Sequence, residues 1–166
     1  MAIAQSLLPE YDQEMATTRR MLERVPMEKA SWKPHDKSMP IGRLASHLAE
    51  LPQWAVNACT ADELDFMAGG KPSVPVIFDS RQTLLAKFDE HAKLGRDAIA
   101  ATRDATFMEQ WTLKANGEAI FSMPKVAVVR SMVMNHMIHH RGQLSVFLRL
   151  LDVPVPRTYR PSADEN

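Results

Sequence analysis

Residues 134–147, MNHMIHHRGQLSVF, hold half of the chain's six histidines in a segment that is otherwise mainly apolar. A neutral imidazole carries two polar nitrogens, and both need partners when the side chain is buried. A hydrophobic core has no need of such groups. The stretch therefore predicts a buried helix whose histidines bind a metal ion.

The spacing of these histidines suits one shared ion. Residues i and i+4 of an α-helix are about 40° apart around the axis and about 6 Å apart along it. His136 and His140 have this spacing, so their side chains project together. His139 lies about 60° to the other side of His136, and Gln143 falls between them. We expect His139 to line a pocket or to form a hydrogen bond, because adjacent helical residues diverge by about 100°.

A third ligand must come from another helix, and His47 is the best candidate. It shares a predicted apolar face with Leu44, Leu48 and Leu51, and Glu50 follows one turn later. Three neutral imidazoles leave the ion its full charge and an open coordination position. That arrangement is typical of catalytic metal sites rather than closed structural ones.

The periodicity of apolar residues predicts an all-α protein, an up-down four-helix bundle. The Asn116-Gly117 pair, between two short alternating runs, predicts a small hairpin between the third and fourth helices. We expect residues 1–152 to form the bundle domain and residues 153–166 a proline-rich tail. The predicted helices run from Ile3 to Val25, from Ser38 and Pro40 through a kink at Pro52, from Asp79 or Ser80 to Thr102, and from Ser122-Met123-Pro124 to Leu151.

Other polar residues are assigned structural places. Arg141 is predicted to form an ion pair or a packing contact, and Gly142 to mark a close approach by another element. His91 is predicted to lie on a helix surface. Cys59 is about 18 Å along the helix from His47, so we do not expect it to share the metal site.

Composition excludes several classes of protein. The chain has 20 basic and 20 acidic residues and a formal net charge of zero, which argues against a dedicated nucleic-acid partner. No apolar run approaches the roughly 20 residues that a membrane span needs. The N-terminal residues MAIAQSLLPEYDQE lack the features of a secretory leader, and the single cysteine excludes an intramolecular disulfide. We therefore expect a cytoplasmic protein.

Two familiar helical metal motifs are absent from the last helix. A zincin has glutamate directly after its first histidine, whereas Met137 holds that place here. Di-iron bundles need Glu-x-x-His pairs, and no glutamate precedes His136, His139 or His140 by three residues.

Two segments resemble the DinB/YfiT-like family. They are SWKPHDKSMPIGRLASHLAELPQW, residues 31–54, and NHMIHHRGQLSVFLRLL, residues 135–151. The resemblance implies a four-helix bundle that holds a divalent metal through one histidine of the second helix and two of the fourth. By position these are His47, His136 and His140. The resemblance also implies zinc or nickel as the ion, and a homodimer.

The resemblance implies a small-molecule substrate and leaves the reaction open. The first hypothesis is a metal-dependent enzyme that activates a low-molecular-weight thiol for transfer to an electrophile. The second is a hydrolase that uses metal-bound water, and the third is a non-catalytic, stress-related metal-binding bundle. Candidate catalytic residues are Glu50, His139 and Gln143.

Overall fold

The computed structural model describes residues 2–70 and 76–165. None of the helices in these two ranges is long and apolar enough to cross a membrane. The longer helices are α1 (Ile3–Leu22), α2 (Ile41–Glu50), α3 (Gln53–Thr60), α4 (Arg81–Ala101) and α7 (His136–Leu150). The shorter elements are β1 (Glu63–Asp65), α5 (Asp104–Phe107), β2 (Gln110–Ala115), β3 (Glu118–Pro124), α6 (Lys125–Val128) and a π-helical segment (Val129–Asn135).

The long helices pack around one hydrophobic core. Helix α1 packs against α4 and α7, and α2 packs against the same two helices from the other side. Consecutive helices α1 and α2 therefore occupy opposite corners of the bundle, whereas an up-down arrangement makes them neighbours. The core between them contains side chains with almost no exposed surface, among them Leu7, Met21, Leu44, Leu48, Leu84, Phe88, Val133 and Leu144.

The predicted second helix is two helices. Helix α2 ends at Glu50 and α3 begins at Gln53, because Pro52 has no amide hydrogen to continue the ladder. The predicted start at Ser38 and Pro40 is slightly early, since the first helical residue is Ile41 and Pro40 holds the capping position. The loop before α2 supplies hydrogen-bond acceptors for the first amides of this helix. The amides of Ile41 and Gly42 donate to carbonyls of residues 32 and 30, at 2.8 and 2.9 Å.

The predicted hairpin is present, and it belongs to a sheet that the all-α prediction missed. Asn116 and Gly117 have φ angles of 54° and 86°, as the tight turn between β2 and β3 requires. Strand β1 adds to β2 in parallel, so the sheet has the order β1-β2-β3. The Asp65 carboxylate at its end accepts hydrogen bonds from both turn amides. Strand β3 continues to Pro124, so the last helix does not begin at Ser122 as predicted.

The C-terminal residues 153–165 pack back onto the bundle. Arg141 pairs with Glu14 at 2.6 Å, and both side chains are almost completely buried, so of the two predicted roles of Arg141 the structure shows the ion pair. Tyr159 of the tail completes this network. Its hydroxyl accepts from Arg141 at 2.9 Å and donates to Glu14 at 3.0 Å. Arg149 and Asp164 form a second link between α7 and the tail.

Two smaller predictions are wrong. His91 is buried, and its Nδ1 lies 2.8 Å from the carbonyl of Ala49, because α4 turns this face towards α2. Gly142 has no neighbour within 4 Å of the position that a Cβ would take. The close approach occurs instead at Gly95, where a Cβ would lie 2.6 Å from the carbonyl oxygen of Pro52 and against the hydroxyl of Tyr11.

These two glycines give a matched test of the packing. Gly95→Ala should lower the free energy of unfolding by about 1–3 kcal/mol, because the new methyl group overpacks the contact with Pro52. Gly142→Ala should raise it by about 0.5–1 kcal/mol, because alanine favours the helix and meets open space. Urea unfolding of both variants measures the difference. Equal effects would contradict the close contact at Gly95.

Candidate metal centre

Three imidazoles from two helices converge at one point. Nε2 of His136 lies 3.3 Å from Nε2 of His47 and 2.9 Å from Nε2 of His140. Two nitrogens that each lie about 2.0–2.1 Å from one zinc ion, at angles of 90–110°, are about 2.9–3.4 Å apart. The observed separations therefore match two edges of a three-nitrogen site. The potential ligand atoms of all three residues lie within 4.8 Å of one another.

The surroundings keep these imidazoles neutral, which is the form that binds metal. Burial, the nearby histidines and Arg43 lower the pKa of His47 to about 4. Burial is also the main cause of the lowered pKa values of His136 and His140. At neutral pH all three side chains can therefore offer a lone pair without first losing a proton.

In His136 and His140, Nδ1 points away from the meeting point of the Nε2 atoms and forms a hydrogen bond. Nδ1 of His140 donates to Oε1 of Gln143 at 2.7 Å, and Nδ1 of His136 donates to the carbonyl of Met132 at 3.3 Å. These oxygens can only accept, so Nδ1 carries the proton and Nε2 is left free as a ligand. Histidines that bind metals in proteins are almost always oriented in this way.

The π-helical segment leaves the Met132 carbonyl free to accept the hydrogen bond from His136. In an α-helix the amide of His136 would donate to the carbonyl of Met132, four residues earlier. Here it donates to the carbonyls of Ser131 and Val133. The Met132 carbonyl can thus face the His136 ring. The sequence predicted a regular helix here, and π-helical turns are frequent at functional sites.

The candidate catalytic residues take different places around the triad. The Glu50 carboxylate lies behind His47, 3.9 Å from its Nδ1, and pairs with Arg43 at 3.1 Å. His139 is exposed, with its ring centroid 4.9 Å from that of His140. Gln143 is the only one of the three candidates that hydrogen-bonds a triad imidazole. Among the described residues Cys59 is not part of the cluster, as predicted.

Two contributors were missed by the sequence reasoning. Arg43 lies two helical turns before Glu50 on the face of His47, a spacing that could have indicated the pair. The carbonyl of Met132 could not have been found, because it depends on backbone geometry and not on a side chain.

A cavity of about 290 Å³ lies near the triad, and its wall includes Gln143, the hydrogen-bond partner of His140. Leu44 in its α2 wall is three residues before His47, and Gln143 in its α7 wall is three residues after His140. The cavity therefore lies about one helical turn from the imidazoles on both helices. The cavity is lined by Lys37, Ser38, Met39, Leu44, Gln143 and Phe147.

Comparison with known proteins agrees with this architecture. The sequence model of the DinB family matches residues 2–166, so the chain belongs to the DinB family. A DinB-like protein from Bacillus cereus ATCC 10987 is 20% identical, with a TM-score of 0.68 over 93% of this chain and 97% of that one. A DinB-like protein from Bacillus subtilis, YjoA, is 14% identical, with a TM-score of 0.69 over 97% and 99%. At these identities the two structures support the fold alone. No curated protein sequence matches the chain.

Replacement of the triad tests its capacity to hold an ion. His47→Ala, His136→Ala and His140→Ala should each weaken zinc binding by more than about 100-fold, because each removes one of three donors. His35→Ala is the matched control, since this exposed loop histidine is outside the cluster. Elemental analysis and competition with a chelator measure the effect. Unchanged metal content in the three triad variants would refute the site.

The ring nitrogens that bind the ion can be tested separately. Long-range ¹H–¹⁵N spectra should show zinc-induced shifts at Nε2 of the triad histidines, with protons retained on Nδ1 of His136 and His140. His91 should show no zinc-induced shift, because it lies outside the cluster of histidines although its Nδ1 also contacts a backbone carbonyl. Coordination through Nδ1 would contradict the geometry of the two hydrogen bonds.

Proposed function

We propose that this member of the DinB family is a metal-dependent enzyme that activates a low-molecular-weight thiol for transfer to an electrophile. The observation that carries the proposal is the convergence of three neutral imidazole nitrogens beside a cavity. In residues 2–70 and 76–165, no carboxylate or thiol joins His47, His136 and His140 as a further ligand. A site of three protein ligands leaves room for a small molecule to coordinate.

The residues present fit a zinc or nickel ion. Imidazole suits both metals, and the separations between the Nε2 atoms agree with the expected bond lengths. When bound, the ion would supply a Lewis acid that deprotonates a coordinating thiol, whose pKa is otherwise about 8.5. Three neutral ligands cancel none of the ion's charge, which favours this effect.

The thiol must come from outside the protein. Cys59 is the chain's single cysteine, and it lies outside the histidine cluster. Burial raises the pKa of its thiol, which makes the thiolate less available. Cys59 therefore has the properties of a small core residue and not of a nucleophile.

The hydrolase alternative needs a base close to the open position. Glu50, the acidic candidate, is paired with Arg43 and approaches His47 from the Nδ1 side, away from the point where the Nε2 atoms meet. This placement suits a residue that orients His47. We therefore assign Glu50 a positioning role, and Gln143 the same role for His140.

Turnover assays separate the three hypotheses. Zinc- or nickel-loaded protein should conjugate glutathione, bacillithiol or mycothiol to chlorobimane, or use one of these thiols to isomerise maleylpyruvate. Activity should require both metal and thiol, and it should fall to background in His136→Ala because that variant loses a metal ligand. S-methylglutathione is the matched control, since it has no proton to lose.

Other outcomes would contradict the proposal. Metal-dependent cleavage of esters or amides without a thiol would favour the hydrolase. No turnover in either screen, with a fourth protein ligand on the bound ion, would favour a non-catalytic metal-binding protein.

A further inference from the structure

The cavity near the triad is lined by residues that can donate hydrogen bonds, and no acid is among the described residues in its lining. Its polar lining residues are Lys37, Ser38 and Gln143, whose side chains carry an ammonium group, a hydroxyl group and an amide. The remaining wall is apolar and contains Met39 and Phe147. An edge-to-face contact with Trp32, at 5.7 Å between ring centroids, fixes the ring of Phe147. A pocket of this kind favours a ligand with an apolar body and a negatively charged end.

The Lys37 side chain is exposed, and the structure of residues 2–70 and 76–165 gives it no carboxylate partner. The nearest acidic residue in the sequence, Asp36, pairs with Lys33 at 3.5 Å. Within the described ranges, no aspartate or glutamate forms an ion pair with Lys37 or lines the cavity. An anion in the cavity would therefore meet an uncompensated ammonium group, without having to displace a carboxylate of the protein.

Gln143 connects this cavity to the triad. Its Oε1 accepts the hydrogen bond from Nδ1 of His140, so the opposite end of the amide, which has two N–H donors, is left for a ligand. A ligand held there lies about one helical turn from the point where the Nε2 atoms meet. A metal ion on three neutral imidazoles would add further positive charge at the same end of the cavity.

We propose that this cavity binds a small organic carboxylate. The carboxylate contacts Lys37 and Gln143, and the apolar body packs against Leu44 and Phe147. The inference rests on the proposed function and deepens it, because it assigns the electrophile to the class of small organic acids. The size of the cavity, about 290 Å³, is at the lower end of ligand sites and is sufficient for a small body such as one substituted aromatic ring.

Binding of 4-fluorobenzoate, followed by ¹⁹F NMR, tests this inference directly. The uncharged isostere 4-fluorobenzamide has the same ring and provides the reference. The benzoate should bind about fivefold more tightly than the benzamide, because an exposed ion pair contributes a factor of this size. Lys37→Met should remove this preference and leave benzamide binding unchanged. Lys29→Met, an equal loss of charge at an exposed position outside the cavity, should have no effect.

The titrations are performed on metal-free and zinc-loaded protein, so that this inference and the proposed function can fail separately. A Lys37-dependent preference for the carboxylate in the metal-free protein supports the cavity assignment even if no thiol is turned over. Equal affinity for benzoate and benzamide would overturn the assignment. So would a preference that survives in metal-free Lys37→Met, where no ion can attract the carboxylate.

Discussion

The register between α2 and α7 is the constraint on which the candidate site depends. One nitrogen on α2 must meet two on α7, and a shift of one residue on either helix would rotate a ligand by about 100°. Packing of Leu44 and Leu48 against the core fixes α2 in rotation. The loop before α2 fixes its start, because two amides of the first turn donate to carbonyls of that loop.

The same register leaves the metal-free protein with an unfavourable arrangement. The proton positions set by Gln143 and Met132 leave Nε2 of His140 and His136 facing each other at 2.9 Å without a hydrogen between them. Buried lone pairs without donors cost free energy. An ion at this point would replace the repulsion with coordination, and a group that binds only the folded state also stabilises it. Metal binding and folding would therefore favour the same side-chain arrangement.

The sequence predicted the parts of the site that depend on side-chain identity and helical period. The spacing of His136 and His140 and the apolar face around His47 were sufficient to predict that three imidazole rings lie together. The sequence did not predict features that depend on the backbone or on distant contacts. The π-helical turns before His136 have no side-chain pattern, and strand β1 is only three residues long. His91 was misplaced because its partner, a carbonyl of α2, is 42 residues away.

The buried ion pair between α1 and α7 affects how the chain folds. Glu14 and Arg141 are 127 residues apart in sequence, and the hydroxyl that joins them comes from Tyr159, later still. Contacts this distant slow folding relative to simple helical bundles. During synthesis Glu14 leaves the ribosome long before either partner, so its carboxylate stays hydrated until the C-terminal residues emerge. The nascent chain therefore completes this buried network only after Tyr159 has emerged, and its early helices must remain soluble until then.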